Sequence, residues 1–463
     1  MSGQAIFLLS GFLVNSGLGR ILGPADYGLF SVVMAVLVIV ELFVITGIPE
    51  LIQKFGGERP ETMPRLIRET LPWQTLLSVL LFVGFWIAAP FIAAAFGNTK
   101  MTVLLRVAGI DIIVYGLYKY FLGVQNGLHR FGPYTALGIT YSLAKLVSIF
   151  ALVWMGFSVK GALIGNMLGS VFALGLALLF LRMPKSDEEL ESIPYGSFVI
   201  QNMFYFVGLN ALFSIDLLHV EYFLSAESVG YYSAAAVFAK LTYLFSVALS
   251  AVLLPSLARA LKQNQSERAA ALTKDSLRYV IIFLLLINII VGINAEGIIT
   301  LFFGSRFLAA APILLILIVG LSFVTMMAVI NTIMIAQNRM LDSMIMVVAL
   351  VAIDVVLNRL LIPQWRMVGA AAATSVTGLL GTIAACCYVF KEIRSIIISW
   401  SLLRLAAVTI AIILASRFFW TGTIAVFVNS VIIGVLYLVL LWLSREITAV
   451  DLQRLKESIG MAK

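Results

Sequence analysis

The sequence predicts an all-α integral membrane protein of fourteen transmembrane helices: two pseudo-symmetric six-helix lobes related as parallel repeats, plus two C-terminal helices. Three observations carry this. The 463 residues are 62% hydrophobic and 12% charged, with a mean hydropathy of +1.06, whereas a soluble domain carries about a quarter charged residues. Apolar runs of membrane-spanning length follow one another along the whole chain. One phrase occurs twice, as Leu22-Gly-Pro-Ala-Asp-Tyr-Gly28-Leu-Phe30-Ser31 and as Leu224-Ser-Ala-Glu-Ser-Val-Gly230-Tyr-Tyr232-Ser233, each copy opening a long apolar helix.

A membrane helix needs about 20 mostly apolar residues. Such runs lie near 3–21, 27–48, 70–95, 103–124, 134–156, 161–181, 197–222, 229–254, 278–302, 309–335, 341–361, 368–389, 401–418 and 423–443. Helix-breaking residues support the cuts, with Pro24, Gly56-Gly57, Gly97-Asn98, Pro133, Pro184, Pro255, Gly304 and Pro363 at or near the ends. Trp73, Trp154, Trp365, Trp400, Trp420 and Trp442 also fall near span ends, where an amphipathic ring prefers to sit.

The repeat extends beyond its phrase. Phe96-Gly97 matches Phe303-Gly304, Gln125-Asn126 matches Gln337-Asn338, and Gly161-Ala162 matches Gly369-Ala370, with offsets drifting only from 202 to 212. The implied organisation is a first lobe over 1–181, a charged linker over 182–196, a second lobe over 197–390, and spans thirteen and fourteen with a cytoplasmic tail over 391–463. Six spans per lobe is an even number, so both copies enter the membrane from the same side.

Orientation follows from the basic residues. With a cytoplasmic N-terminus, interior loops and the tail hold 20 of the 31 Lys and Arg against eight at exterior positions, which places both termini in the cytoplasm. This distribution reads the net charge of +8 as membrane topology, without a nucleic-acid partner. The basic stretches Lys54–Arg68 and Arg259–Arg278 also suit attraction to anionic lipid headgroups. The N-terminal stretch lacks the basic n-region of a cleaved signal peptide. Adjacent Cys386 and Cys387 read as packing residues, and no metal-ligand cluster or Gly-rich phosphate loop followed by Lys-Ser/Thr is present.

Several of these residues carry a family likeness. Gly19-Arg20-Ile-Leu-Gly-Pro-Ala-Asp-Tyr-Gly-Leu-Phe30 and Val229-Gly-Tyr-Tyr-Ser-Ala-Ala235, followed by Leu253-Leu254-Pro255, resemble signatures of the polysaccharide flippases in the multidrug/oligosaccharidyl-lipid/polysaccharide exporter superfamily. Phe303-Gly304 with Ala309-Ala-Ala-Pro312, and then Ile335-Ala-Gln-Asn-Arg339, are similar to that family's second lobe. The resemblance implies a transporter, not an enzyme, that moves isoprenoid-diphosphate-linked sugars across the cytoplasmic membrane. It also implies a cavity between the lobes lined mainly by spans one, two, seven and eight. A multidrug or cation antiporter and a lipid II-type flippase are the alternatives within transport. A membrane glycosyltransferase or polymerase is disfavoured, because the longest loops hold only about 20 residues and face the cytoplasm. The expected partners are the lipid-linked glycan, membrane lipids, and glycosyltransferases or a polymerase of the same pathway, for a chain expected to act as a monomer.

Ionisable side chains inside spans mark the site, since each costs at least ~2.5 kcal/mol at mid-bilayer by insertion scales. Lys240 has no acidic neighbour at i±3 or i±4 and is the first candidate for contact with the substrate's diphosphate. Arg20 occupies the arginine of the family signature. Asn202, Phe206, Asn210 and Phe213 fall at helical spacing and suit sugar hydroxyls and ring faces, although amide bonds between helices give the same pattern. Asp216 and Asp111 are coupling-ion candidates for H+ or Na+, with no other cofactor expected, and Asp216 also a substrate contact. Asp111, Tyr115 and Lys119 stand at i, i+4 and i+8, so a structural Asp111–Lys119 pair is the default, with Lys145 as a rival cation.

Overall fold

A computed structural model describes residues 2–181, 195–337, 339–392, 399–416, 422 and 425–446. Most of the charged linker, Asn338, Trp420 and the tail beyond Glu446 lie outside the described residues. Among the described residues the regular structure is helical. The helices are α1 (Ser2–Ile45), α2 (Ile48–Glu58), α3 (Met63–Ala95), α4 (Met101–Gly109), α5 (Asp111–Gly127), α6 (Phe131–Leu152), α7 (Ser158–Leu179), α8 (Tyr195–Ala211) and α9 (Ile215–Phe223). They continue as α10 (Ala226–Ala239), α11 (Leu241–Lys262), α12 (Ser266–Ile293), α13 (Ala295–Phe303), α14 (Ala311–Ala336), α15 (Met340–Glu392), α16 (Ser399–Ala415) and α17 (Ala425–Leu443). Among the described residues, eight helical stretches are long and apolar enough to cross a membrane, and α8 with α9, bent by 46° between them, adds a ninth.

Several stretches are far longer than a bilayer needs. The 53 residues from Ile6 to Glu58 would extend about 80 Å if straight, against a hydrocarbon core of about 30 Å. The chain resolves this with a break at Gly23 (φ 77°, ψ 175°), followed by Pro24, which lacks an amide donor. Equivalent breaks occur at Gly156 (φ 91°) before α7 and at Arg366 (φ 54°, ψ −133°) inside α15. Large apolar side chains face outward along these helices, among them Phe91 at 71% and Leu179 at 79% exposed, as lipid contact demands. Trp154 and Trp400 are 86% and 74% exposed.

Two units form by internal contact: residues 1–237 with 340–374, and residues 238–339 with 375–463. In the first, small residues set the packing. Gly161, Gly165 and Gly169 form one ridge on α7, and a Cβ at any of them would press on Leu152, Ile149 or Lys145 at the facing end of α6. The same unit brings the two copies of the repeated phrase together. A Cβ on Gly28 would overlap the Ala226 carbonyl, and a Cβ on Gly230 would overlap the Pro24 carbonyl. Only glycine permits that approach of backbone to backbone.

In the second unit α11 and α14 are joined by hydroxyl contacts, Thr242 to Thr325 at 3.3 Å and Ser250 to Thr332 at 2.9 Å. The last part of α15 lies on α14, where Gly320 meets Ser375 and Thr382 donates to the Phe323 carbonyl at 2.8 Å. α17 is fixed by the Tyr437 hydroxyl on the Ile282 carbonyl (2.9 Å) and by Asn429 on Asn294 (3.1 Å). A largely apolar cavity of about 590 Å³ opens between α12, α14 and α16.

Positions matched by the repeat share unusual backbone. Gly97 and Gly304 both have positive φ, 65° and 90°. Ser158 (φ 46°, ψ −136°) and Arg366 (φ 54°, ψ −133°) stand 208 positions apart, the same offset as Gly161 and Gly369. This conformation is nearly reserved for glycine and costs ~1–3 kcal/mol elsewhere, against ~0.5–1 kcal/mol of backbone entropy when glycine replaces another residue. Arg366→Gly should therefore stabilise the protein by about 1 kcal/mol. Thermal unfolding in detergent checks this, and an unchanged or lowered midpoint contradicts it.

Candidate functional site

Two buried polar constellations lie in the first unit. The first is centred on Asp216. The chain bends at Ser214 and restarts as α9, so Asp216 stands in the first turn, where the helix dipole favours a carboxylate. Its Oδ1 accepts the Leu217 amide at 2.7 Å, and its Oδ2 accepts the Tyr232 hydroxyl at 2.5 Å and the Thr374 hydroxyl at 3.1 Å. These three donors are neutral, and Asp216 is 3% exposed. Asp354, 1% exposed, lies within electrostatic reach of the same Tyr232. Asn358, one turn along α15, donates to the Asp354 carbonyl at 2.9 Å and keeps a buried Oδ1 without a hydrogen-bond partner among the described residues. A carboxylate with two hydroxyls on it offers the chemistry of a proton or alkali-cation site. Among the described residues, no group of three His, Cys, Asp or Glu is placed to hold a metal ion.

The second constellation mixes signs. Asp111 opens α5 and its Oδ2 accepts Asn166 Nδ2 at 2.7 Å. Glu41, 5% exposed on α1, is in electrostatic reach of Asp111, Lys145 and Lys119. Of the two lysines, Lys145 is the one that acts on Asp111, and Lys119 acts on Glu50 and Glu41. The default pairing of Asp111 with Lys119 thus gives way to a partner on the neighbouring helix. Neither ammonium forms an ion pair within 4.0 Å among the described residues. Instead Lys119 Nζ lies 5.4 Å from the Tyr115 ring centre and Lys145 Nζ 5.6 Å from that of Tyr141. Tyr118 stacks on Tyr141 at 5.3 Å, completing an aromatic wall. A cation–π contact at a partly exposed site returns ~0.5–2 kcal/mol.

The remaining expected site residues are dispersed. Asn202 Nδ2 donates to the Thr46 carbonyl at 2.6 Å, and Asn210 Nδ2 to Phe206 in its own helix at 2.9 Å, so both amides are engaged by backbone. Arg20 is exposed, three residues before the Gly23 break. Lys240 belongs to the second unit, is partly exposed, and stands where the helix is interrupted between α10 and α11. His129 binds the Gly57 carbonyl at 3.1 Å and His219 the Ile215 carbonyl at 2.8 Å. Both cysteines are free.

Tyr232, Thr374 and Asn166 were not singled out by sequence reasoning, yet the repeat contained their signal. Tyr232 is the aromatic position of the second phrase. Asn166 and Thr374 are separated by 208, the offset of Gly161 and Gly369, and each donates to a buried aspartate.

The model of a polysaccharide biosynthesis protein family matches residues 18–312. A curated relative, the probable low-salt glycan biosynthesis flippase of Haloferax volcanii, is 22% identical over 278 residues. That match covers 59% of this chain, and the chain spans 58% of the relative's length. A lipid II flippase in an inward closed conformation superposes with a TM-score of 0.78 at 16% identity, over 96% of this chain and 98% of that one. An inward-facing multidrug resistance transporter of the MATE family gives 0.65 at 14% identity, over 85% and 96%. These likenesses show the fold, and the family model agrees with the likeness of the Gly19–Phe30 and Val229–Ala235 motifs. The chain belongs to the polysaccharide biosynthesis protein family.

Proposed function

We propose that the protein is a transporter that flips a glycan carried on an isoprenoid diphosphate across the cytoplasmic membrane by alternating access. The observation that carries this is the family match over the greater part of the chain, joined by a relative that bears the name of a glycan flippase. Multidrug transporters share the fold, so the fold alone does not select the cargo. The family does, and against a purely cationic cargo stand Lys119 and Lys145, partly exposed among the helices of the first unit. No catalytic step is required for this function.

The reading uses fourteen spans in two parallel lobes. Long stretches broken at Gly23, Gly156 and Arg366 each count as two, and the bent pair α8–α9, the interrupted pair α10–α11 and α16 supply the rest. The Lys and Arg distribution then places both termini in the cytoplasm. The contact of Gly28 and Gly230 lies on the exterior side in this topology and closes it. An outward-open state must part residues 24–30 from residues 226–232. Asp216 supplies the site for the driving H+ or Na+, because its direct donors are neutral, and Asp354 acts on the same Tyr232. Asp111 is less suited, because Lys145 would repel a second cation there. Lys240 and Arg20 stay the candidates for diphosphate contact outside the buried constellations.

Flipping of a fluorescent lipid-linked oligosaccharide in proteoliposomes tests these assignments. Asp216→Asn should remove the response to an imposed cation gradient while leaving a folded protein. Lys240→Ala and Arg20→Ala should each slow flipping about tenfold, the loss of one charge-assisted contact; wild-type rates in both would remove them from the site. Gly230→Leu should expose a cysteine placed at Ser228, 6% exposed in this structure, to a membrane-impermeant maleimide. Unchanged labelling would show that the glycine contact is not the exterior closure.

A further inference from the structure

The mixed-charge constellation is not used by the coupling site and has its own geometry. Glu41 enters from α1, Tyr115 and Lys119 from α5, Tyr141 and Lys145 from α6, and Asn166 and Ser170 from α7, with Glu50 of α2 acting on Lys119. The acids lie at the back: Asp111 is 1% and Glu41 5% exposed. The lysines lie in front, both partly exposed. Gly169 lets α7 close on the base of Lys145 and so fixes where its chain departs from α6. Glu41 Oε1 and Asp111 Oδ1 are both buried without a hydrogen-bond partner among the described residues, but Asp111 Oδ2 accepts from Asn166. Two ammoniums that rest on tyrosine rings, and contact no carboxylate directly, retain their donors for an incoming oxyanion.

We propose that Lys119 and Lys145 form an anion site for a phosphate or diphosphate group within the N-terminal helices, and that filling it is accompanied by proton uptake on Glu41. An oxyanion with several oxygens accepts from both ammoniums at once, which single carboxylates placed behind them do not. Once the lysines turn to the anion, their positive field on Glu41 is withdrawn. Having no hydrogen bond to support its charge, Glu41 takes one proton from bulk water. Asp111 keeps its Asn166 donor. Naming the diphosphate of a lipid-linked glycan as the source rests on the transport reading above; the lysine geometry does not, and a membrane phospholipid offers the same chemistry.

Calorimetric titration of the full chain in detergent, with inorganic pyrophosphate and with geranyl diphosphate, tests this. Repeating it in two buffers of different ionisation enthalpy counts the protons. Lys119→Gln and Lys145→Gln should each weaken binding at least about tenfold, and the charge-preserving Lys145→Arg should retain most of it. Glu41→Gln should bind as well or better, with about one proton fewer taken up per anion. Lysine variants that run as folded monodisperse protein and bind like the parent would overturn the site. An unchanged proton count in Glu41→Gln would overturn the linkage. Nanodiscs of phosphatidylglycerol against phosphatidylcholine separate the sources. Loss of pyrophosphate binding in the anionic lipid assigns the site to a headgroup, and equal binding in both assigns it to the diphosphate. Binding is read without transport, so a chain that binds pyrophosphate but flips nothing would contradict the transport reading alone.

Discussion

Hydrocarbon does not solvate charge, and the surroundings of the buried carboxylates described above follow from that constraint. A carboxylate among apolar helices persists only if donors or cations face it. Asp216 meets the demand with a backbone amide and two hydroxyls, all neutral. Its negative charge is therefore left for something mobile to balance. Asp111 and Glu41 lie instead in the field of two lysines, one of which also faces Glu50. The same residue type thus serves two different ends according to whether its partners carry charge.

Close approach of backbones is the second determinant. Between membrane helices there is little hydrophobic gain, so packing depends on small residues. The glycine ridge on α7 brings α6 against it and sets the path of Lys145. At Gly28 and Gly230 the same principle joins the two copies of one phrase. A contact built mainly of glycine backbone and two carbonyls has few side chains to hold it, which suits a surface that must part and rejoin.

Much of this was legible in the residues. Composition and span length gave the helical membrane architecture, and the repeated phrase marked two positions that proved to touch. Other parts were hidden for physical reasons. Helical periodicity tells which face a side chain is on but not which atom it meets; the stripe of Asn202 suits sugar hydroxyls or amide bonds between helices alike, and Asn202 Nδ2 donates to the Thr46 carbonyl. The Asp111–Lys119 spacing suggested a pair along one helix, yet Lys145 on the neighbouring helix is the charge that acts on Asp111. Tyr232 and Thr374 read as ordinary helix residues because their partner, Asp216, is distant from both in sequence terms set by folding. The interruption at Lys240 left no proline or glycine to announce it.

The central claim is that this chain carries a lipid-linked glycan through the bilayer and draws on a cation gradient to do so. The most direct measurement is flipping of a fluorescent isoprenoid-diphosphate oligosaccharide by the wild-type protein in proteoliposomes, with and without an imposed Na+ or H+ gradient. Flipping above that of protein-free vesicles, faster with one of the gradients, is the result this account predicts. Flipping no faster than in protein-free vesicles, under any gradient, would contradict it.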